Sequence, residues 1–178
     1  MNMTYIVMDN QIYGLTKGQT SPSSAKGFVT KSTPKGNIEK NVAPLELALS
    51  SGATFVAQGF SSDIKALTKM IEDAIHHDGF SFVNVFSPCV TYNKVNTYDW
   101  FKEHLTSIDD IEGYDITDKQ LAMKTVLDHE SLVKGIVYQD TTTPSYESQI
   151  SELKHEALAK RDIHITEETF NDLTAQFL

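Results

Sequence analysis

Three short apolar runs, at residues 4–9, 54–57 and 80–86, alternate with stretches that carry helical periodicity or turn chemistry. That alternation is the tightest constraint on what this chain can become. Strand, helix and strand in succession join parallel neighbours through right-handed crossovers, so the reading is an α/β fold with a parallel sheet. The third run, Phe-Ser-Phe-Val-Asn-Val-Phe, lies between Asp78-Gly79 and Ser87-Pro88, both of which interrupt regular structure. Between the first two runs, Pro44 suits the first turn of a short helix over 44–49, which Gly52 ends. Ser62 is placed to cap the next helix, with Ile64, Leu67, Ile71, Ala74 and Ile75 as its apolar stripe.

Residues 17–42 break the rhythm. They are rich in Gly, Pro, Ser, Thr and Lys and have no usable period. A loop of that length in a compact domain is functional or mobile, and its few apolar groups offset little of the entropy of ordering it. Poor order in the absence of a ligand is the expectation. After Asn93 the pattern turns helical over 98–105 and 118–128, with a short strand around Ile136-Val137-Tyr138. Residues 145–160 and 166–178 read as amphipathic helices.

At 178 residues the chain has the length of one domain with a sizeable core. A net charge of −9 disfavours nucleic acid and anionic membranes, which would repel it. No apolar run approaches the roughly 20 residues that cross a bilayer, and no basic segment leads into an apolar core at the start. One cysteine, Cys89, excludes a disulfide framework and fits a reducing cytoplasm. The first strand is apolar on both faces, as in the buried middle of a parallel sheet. Its start at about residue 4 sets up the expectation that a preceding segment is absent from this chain.

Chemistry concentrates where the first strand ends, in Asp9-Asn10-Gln11-Ile12-Tyr13-Gly14-Leu15-Thr16-Lys17-Gly18-Gln19. The carboxyl ends of strands are where open α/β sheets bind ligands. Asn10 offers a side-chain carbonyl there and Ile12 a backbone carbonyl, oxygen donors of the kind Mg²⁺ takes alongside substrate phosphates. Read alone, Asn10 is equally an ordinary turn residue, Cys89 a small buried hydrophobe, Tyr13 a core aromatic and Lys17 a surface lysine. His76 and His77 read as favourable charges at a helix C-terminus. His104, His129, His155 and His164 lack ligand spacing, and Asp109-Asp110 and Glu167-Glu168 read as solvated helix starts. Lys26, Lys31, Lys35 and Lys40 along the long loop serve solubility, or lie near an anionic cofactor or a partner subunit. There is no Ser-His-Asp constellation, Walker loop or dinucleotide fingerprint.

Asn10 to Gln19, with Thr20-Ser21-Pro22-Ser23 behind it, resembles the thiamine-diphosphate loop in the β subunit of 2-oxoacid:ferredoxin oxidoreductases. The likeness continues through Gly52-Ala53-Thr54-Phe55-Val56-Ala57 and the third run to Ser87-Pro88-Cys89-Val90-Thr91-Tyr92-Asn93. It covers about the first hundred residues strongly and the remainder by order of elements.

The resemblance implies the C-terminal half of a thiamine-diphosphate-binding α/β domain over residues 1–93. A helical C-terminal extension over 94–178 would pack on it. It implies Mg²⁺ held by Asn10 and the Ile12 carbonyl, with Gly14 and Leu15 approaching the cofactor. The family's third metal ligand is an Asp from a Gly-Asp-Gly motif, which this chain does not contain. Pyruvate-preferring relatives carry glycine where Lys17 stands and asparagine where Leu15 stands. Lys17 is therefore a candidate partner for the distal carboxylate of 2-oxoglutarate, with a pyruvate-preferring enzyme as the alternative.

Cys89 matches the last ligand of a four-iron–four-sulfur cluster whose other three cysteines lie elsewhere in the family. The implied reaction is oxidative decarboxylation of a 2-oxoacid to an acyl-coenzyme A, with electrons passing to ferredoxin and an α subunit as partner. This chain alone is expected to be inactive. A non-catalytic α/β binding or subunit-assembly module is the alternative of a different class.

Overall fold

The computed structural model describes residues 1–153, 158–160, 162, 164–175 and 177. It comprises two compact units, Met1–Ser145 and Tyr146–Leu178. The first unit holds β1 (Met3–Asp9), α1 (Pro44–Ser50), β2 (Phe55–Phe60), α2 (Ile64–His76), β3 (Phe80–Phe86), α3 (Tyr98–His104), β4 (Thr106–Ser107), α4 (Lys119–Asp128) and β5 (Val133–Gln139). The sheet order is β1-β3-β2-β5-β4. β1 and β2 flank β3 in parallel, and β5 runs antiparallel to β2.

Side chains alternate across a strand, and the core divides accordingly. Val56 and Phe82 face α1 and α4, with Leu45, Leu49 and Val126 among their buried neighbours. Phe55, Ala57, Val83 and Val85 face α2 through Met70 and Ala74. A third cluster, Phe60, Phe86 and Phe101, closes the carboxyl end of the sheet, and the Phe86 and Phe101 rings stack at 4.4 Å.

Several expectations are corrected. β1 lies at the edge of the sheet rather than in its middle, with Tyr5, Ile6 and Met8 exposed. Its apolar character therefore does not report burial within the described residues. α2 is capped by Asp63, whose side chain accepts from Ala66 N, and not by Ser62. Its buried positions are Met70 and Ala74, with Leu67 packed beside them, while Ile64 and Ile75 are exposed. Of the expected stripe, Ala74 and Leu67 lie on the packed face and Ile71 is half-buried, while Ile64 and Ile75 fall outside it and Met70 was not expected.

His77 is no surface cation. It is buried against Phe55, its Nε2 lies 2.8 Å from Thr54 Oγ1, and burial lowers its pKa despite Asp78 and Asp140 nearby.

Residues 94–145, read as the start of an extension, supply β5 to the sheet itself, and the division between units falls after Ser145. In the second unit, α5 spans Glu167–Ala175. In place of one helix over 145–160 there are short 3-10 turns at Glu147–Gln149, Ser151–Leu153 and Leu158–Lys160. His155 lies outside the described residues.

The long loop is organised mainly by polar groups, with Phe28 buried among them. Thr20 Oγ1 meets the hydroxyls of Thr30 and Thr33 at 2.7 and 2.6 Å. Asn37 Nδ2 donates to the carbonyls of Ser24 and Glu39 at 3.1 and 3.2 Å. Gly36 has φ +94, and a Cβ there would come within 2.9 Å of the Gly27 carbonyl. That close approach needs glycine.

Candidate functional site

β1 ends at Asp9, and the chain turns at once. Asp9 Oδ1 accepts from Gln11 N at 3.0 Å and from the Ser23 hydroxyl at 2.6 Å. Asn10 Oδ1 accepts from Ile12 N at 3.1 Å, so the turn reading of Asn10 holds. That bond uses one of the two lone pairs of the amide oxygen and leaves the other. Gln11 takes a left-handed φ of 56 between these two bonds. The Ser21–Ser24 segment folds back over this turn, and Ser24 Oγ donates to the Gln11 carbonyl at 2.7 Å.

Beyond Ile12 the loop closes on itself. Tyr13 N donates to Gln19 O at 2.9 Å and Gly18 N to Tyr13 O at 3.0 Å. Gly14 sits where a Cβ would meet Cys89 Sγ at 3.5 Å and Asn10 Nδ2 at 3.8 Å. The fold thus brings Asn10, Gly14 and Cys89 to one place from segments that are remote in sequence. Asn93 ties the same two segments together, since its Nδ2 donates to the Asn10 carbonyl at 3.4 Å.

A cleft of about 560 Å³ opens here, lined by Asp9, Asn10, Ile12, Gly14, Leu15 and Asn84 among others. Ile12 is buried, and Leu15 is almost wholly exposed on the rim. Lys17 is exposed and left-handed at φ 68 on the turn that follows, and is not among the residues lining the cleft.

At this site two ionisable groups, Asp9 and Cys89, are perturbed. Burial raises the Asp9 carboxyl pKa, against hydrogen bonds from Ser23, Gln11 and Asn84 that lower it. Burial also pushes the Cys89 thiol up. The backbone amides of Tyr92, Thr91 and Asn93 and the charge of Lys94 outweigh it, so the net shift is downward, toward thiolate.

Among the described residues no group of three His, Cys, Asp or Glu side chains is gathered to hold a metal. A cation at the cleft would take its ligands from amide and backbone oxygens and from a ligand's own phosphate. That donor set is the one Mg²⁺ accepts, and Asn10 with the Ile12 carbonyl fits it.

Asp9, Ser23, Asn84 and Asn93 were not singled out for chemistry from the sequence. A carboxylate as the last residue of a strand, and one Asn inside the apolar run of β3, were the available signals.

Comparison with known proteins gives two adjoining family matches. Residues 1–85 match the thiamine pyrophosphate enzyme C-terminal TPP-binding domain, and residues 89–155 match the C-terminal region of the pyruvate ferredoxin oxidoreductase β subunit. A Sulfolobus 2-oxoacid:ferredoxin oxidoreductase subunit beta is 39% identical over 160 residues, covering 84% of this chain and 52% of that protein. A Mycobacterium tuberculosis 2-oxoglutarate oxidoreductase subunit KorB is 43% identical over 93 residues, covering 52% of this chain and 25% of that protein.

Among solved structures, a 2-oxoglutarate:ferredoxin oxidoreductase from Magnetococcus marinus with 2-oxoglutarate, coenzyme A and succinyl-CoA bound superposes with a TM-score of 0.83 at 33% identity. That match covers 97% of this chain and 58% of the other. The chain spans about half the length of the first two curated relatives it matches.

Proposed function

Because this chain belongs to the β-subunit family of the 2-oxoacid:ferredoxin oxidoreductases, we propose that it carries the Mg²⁺–diphosphate half of that family's thiamine-diphosphate site. The observation that carries the reading is the gathering of Asn10, Gly14 and Cys89 at the carboxyl end of β1. The activity proposed for the whole enzyme is oxidative decarboxylation of a 2-oxoacid, 2-oxoglutarate by preference, to an acyl-coenzyme A. An α subunit and ferredoxin are its proposed partners, and the cytoplasm its compartment.

When bound, thiamine diphosphate supplies the carbanion and electron-sink chemistry of decarboxylation. This chain's own residues bind and orient. The free lone pair of Asn10 Oδ1 and the Ile12 carbonyl would hold the metal, and the bond from Ile12 N to Asn10 Oδ1 keeps the two residues in fixed relation. Gly14, without a Cβ, would let the backbone close on the cofactor beside Cys89, and Leu15 on the rim would approach it. Lys17, exposed on the turn that follows, would be the partner for a second carboxylate on the substrate. Cys89 contributes one thiolate to a four-iron cluster, which takes four. This chain has one cysteine, so the other three come from outside these residues.

The test is calorimetric titration of thiamine diphosphate at fixed Mg²⁺ in the assembled enzyme. Asn10→Ala raises the requirement for cofactor and metal together, because the diphosphate is anchored by the metal and the metal partly by Asn10. Ile12→Val, which alters no donor atom, leaves both nearly intact. Unchanged affinity in Asn10→Ala reduces Asn10 to a turn residue and overturns the assignment.

A further inference from the structure

A row of polar side chains crosses the buried sheet beneath the cleft. Asn84 and Gln58 are register partners in β3 and β2, and are 0% and 1% exposed. Gln58 Nε2 donates to the carbonyls of Ser131 and Val133, both at 2.6 Å. An amide nitrogen only donates, so these two carbonyls decide which way round Gln58 sits and turn its Oε1 toward β3. There Oε1 accepts from Asn84 Nδ2 at 2.8 Å, which orients Asn84 in turn.

Asn84 stands opposite Val7 in β1, so Asp9, two residues on, lies on the same face of the sheet beside it; both line the cleft, and the Asn84 amide helps lower the Asp9 carboxyl pKa. Asn84 Oδ1 is left buried without a partner among the described residues. An unmatched buried polar atom costs stability, and two apolar side chains of like shape would avoid that cost. Stability alone therefore does not account for this row. Its far anchor is unusual too, since Glu130 and Ser131 are consecutive non-glycine residues at φ 50 and 62.

We propose that Gln58 and Asn84 form a buried amide relay that fixes Asp9, making the three of them positioning residues for the turn that shapes the cleft. Asp9 passes the constraint on through its bonds to Gln11 N and Ser23 Oγ. The relay rests on the functional reading only for what occupies the cleft. Its geometry is tested without any ligand.

Amide hydrogen exchange of the full 178-residue chain is the measurement, on Asn84→Leu, Gln58→Met and the double variant. The relay predicts that Gln11 N–H and Ile12 N–H exchange about five- to tenfold faster in each single variant, the loss of roughly one hydrogen bond's worth of restraint. The double variant exchanges no faster than either single, because one chain of contacts is cut once. Val56 and Val126, in β2 and α4, stay within about twofold. If Asn84→Leu does not fold, Asn84→Thr, β-branched and at home in a strand, is read instead. Equal acceleration at Val56, Val126 and Gln11, additive effects in the double variant, or an unchanged Gln11 rate overturns the relay. A failed Asn10→Ala titration would leave these rates untouched, so the two ideas fail separately.

Discussion

At Lys17 two demands meet. The residue takes a left-handed backbone at φ 68, a conformation that costs a residue with a Cβ roughly 1–2 kcal/mol. In the proposed site its ammonium is what distinguishes 2-oxoglutarate from a substrate with one carboxylate. In the assembled enzyme, Lys17→Ala should lower kcat/KM for 2-oxoglutarate relative to pyruvate by about 10- to 150-fold, the range of a charge-assisted bond. Lys17→Gly should lose the same selectivity while raising the melting temperature, because glycine accepts this φ freely. Steady-state kinetics with both substrates and thermal unfolding check the pair, and an equal loss on both substrates sinks the role. The candidates Asn10, Ile12, Gly14 and Leu15 were legible because they lie within six consecutive positions. Asp9 and Asn84 were not, because they meet only once β1 pairs with β3 at Val7↔Asn84 and Asp9↔Phe86.

Among elements, the junction of α2 with β2 and β3 answers to pH. His77 is buried against Phe55 and Thr54, and its folded pKa lies below the usual 6.5. Above pH 6.5 the ring is neutral in both folded and unfolded chains, and stability is undiminished. As pH falls through 6.5 toward the folded value, the unfolded chain takes up the proton first, and stability is lost over that window. His77→Gln should flatten the fall in melting temperature between about pH 7 and 5; an unaltered slope refutes the contribution.

Phe101 holds α3 to the carboxyl end of the sheet, in contact with Phe60 and stacked on Phe86. Phe101→Ala should cost about 3–5 kcal/mol, read from the denaturant midpoint. Counting apolar side chains over 17–42 leaves out the groups that tie this loop, hydroxyls and amides such as Thr20, Thr30, Thr33 and Asn37. β3 was legible to the residue, Phe80–Phe86, because Gly79 and Pro88 punctuate a run with no helical alternative. The true face of α2 was not, because Ile64 and Ile75 are exposed while Met70 takes the core position.

At the scale of the molecule, the parallel core of β1, β3 and β2 followed from the alternation of runs, and the short strand around Ile136-Val137-Tyr138 is β5, but its antiparallel place beside β2 did not follow. An antiparallel strand inserted beside β2 from residue 133 onward leaves no mark in the order of elements. β1 defines the sheet's boundary on its other side. Its outer row of backbone donors and acceptors pairs with no other strand among the described residues, and Tyr5, Ile6 and Met8 stand exposed beside it. Such a border is a template on which a like border can assemble. What opposes that assembly in the isolated chain is colloidal, the mutual repulsion of molecules carrying a net charge of −9. Salt shortens the reach of this repulsion to about 3 Å at 1 M, so turbidity and light scattering of the purified chain should rise with ionic strength. Ile6→Lys places a charge on the border itself and should hold the solution clear at the same salt, by the device natural sheets use at their margins.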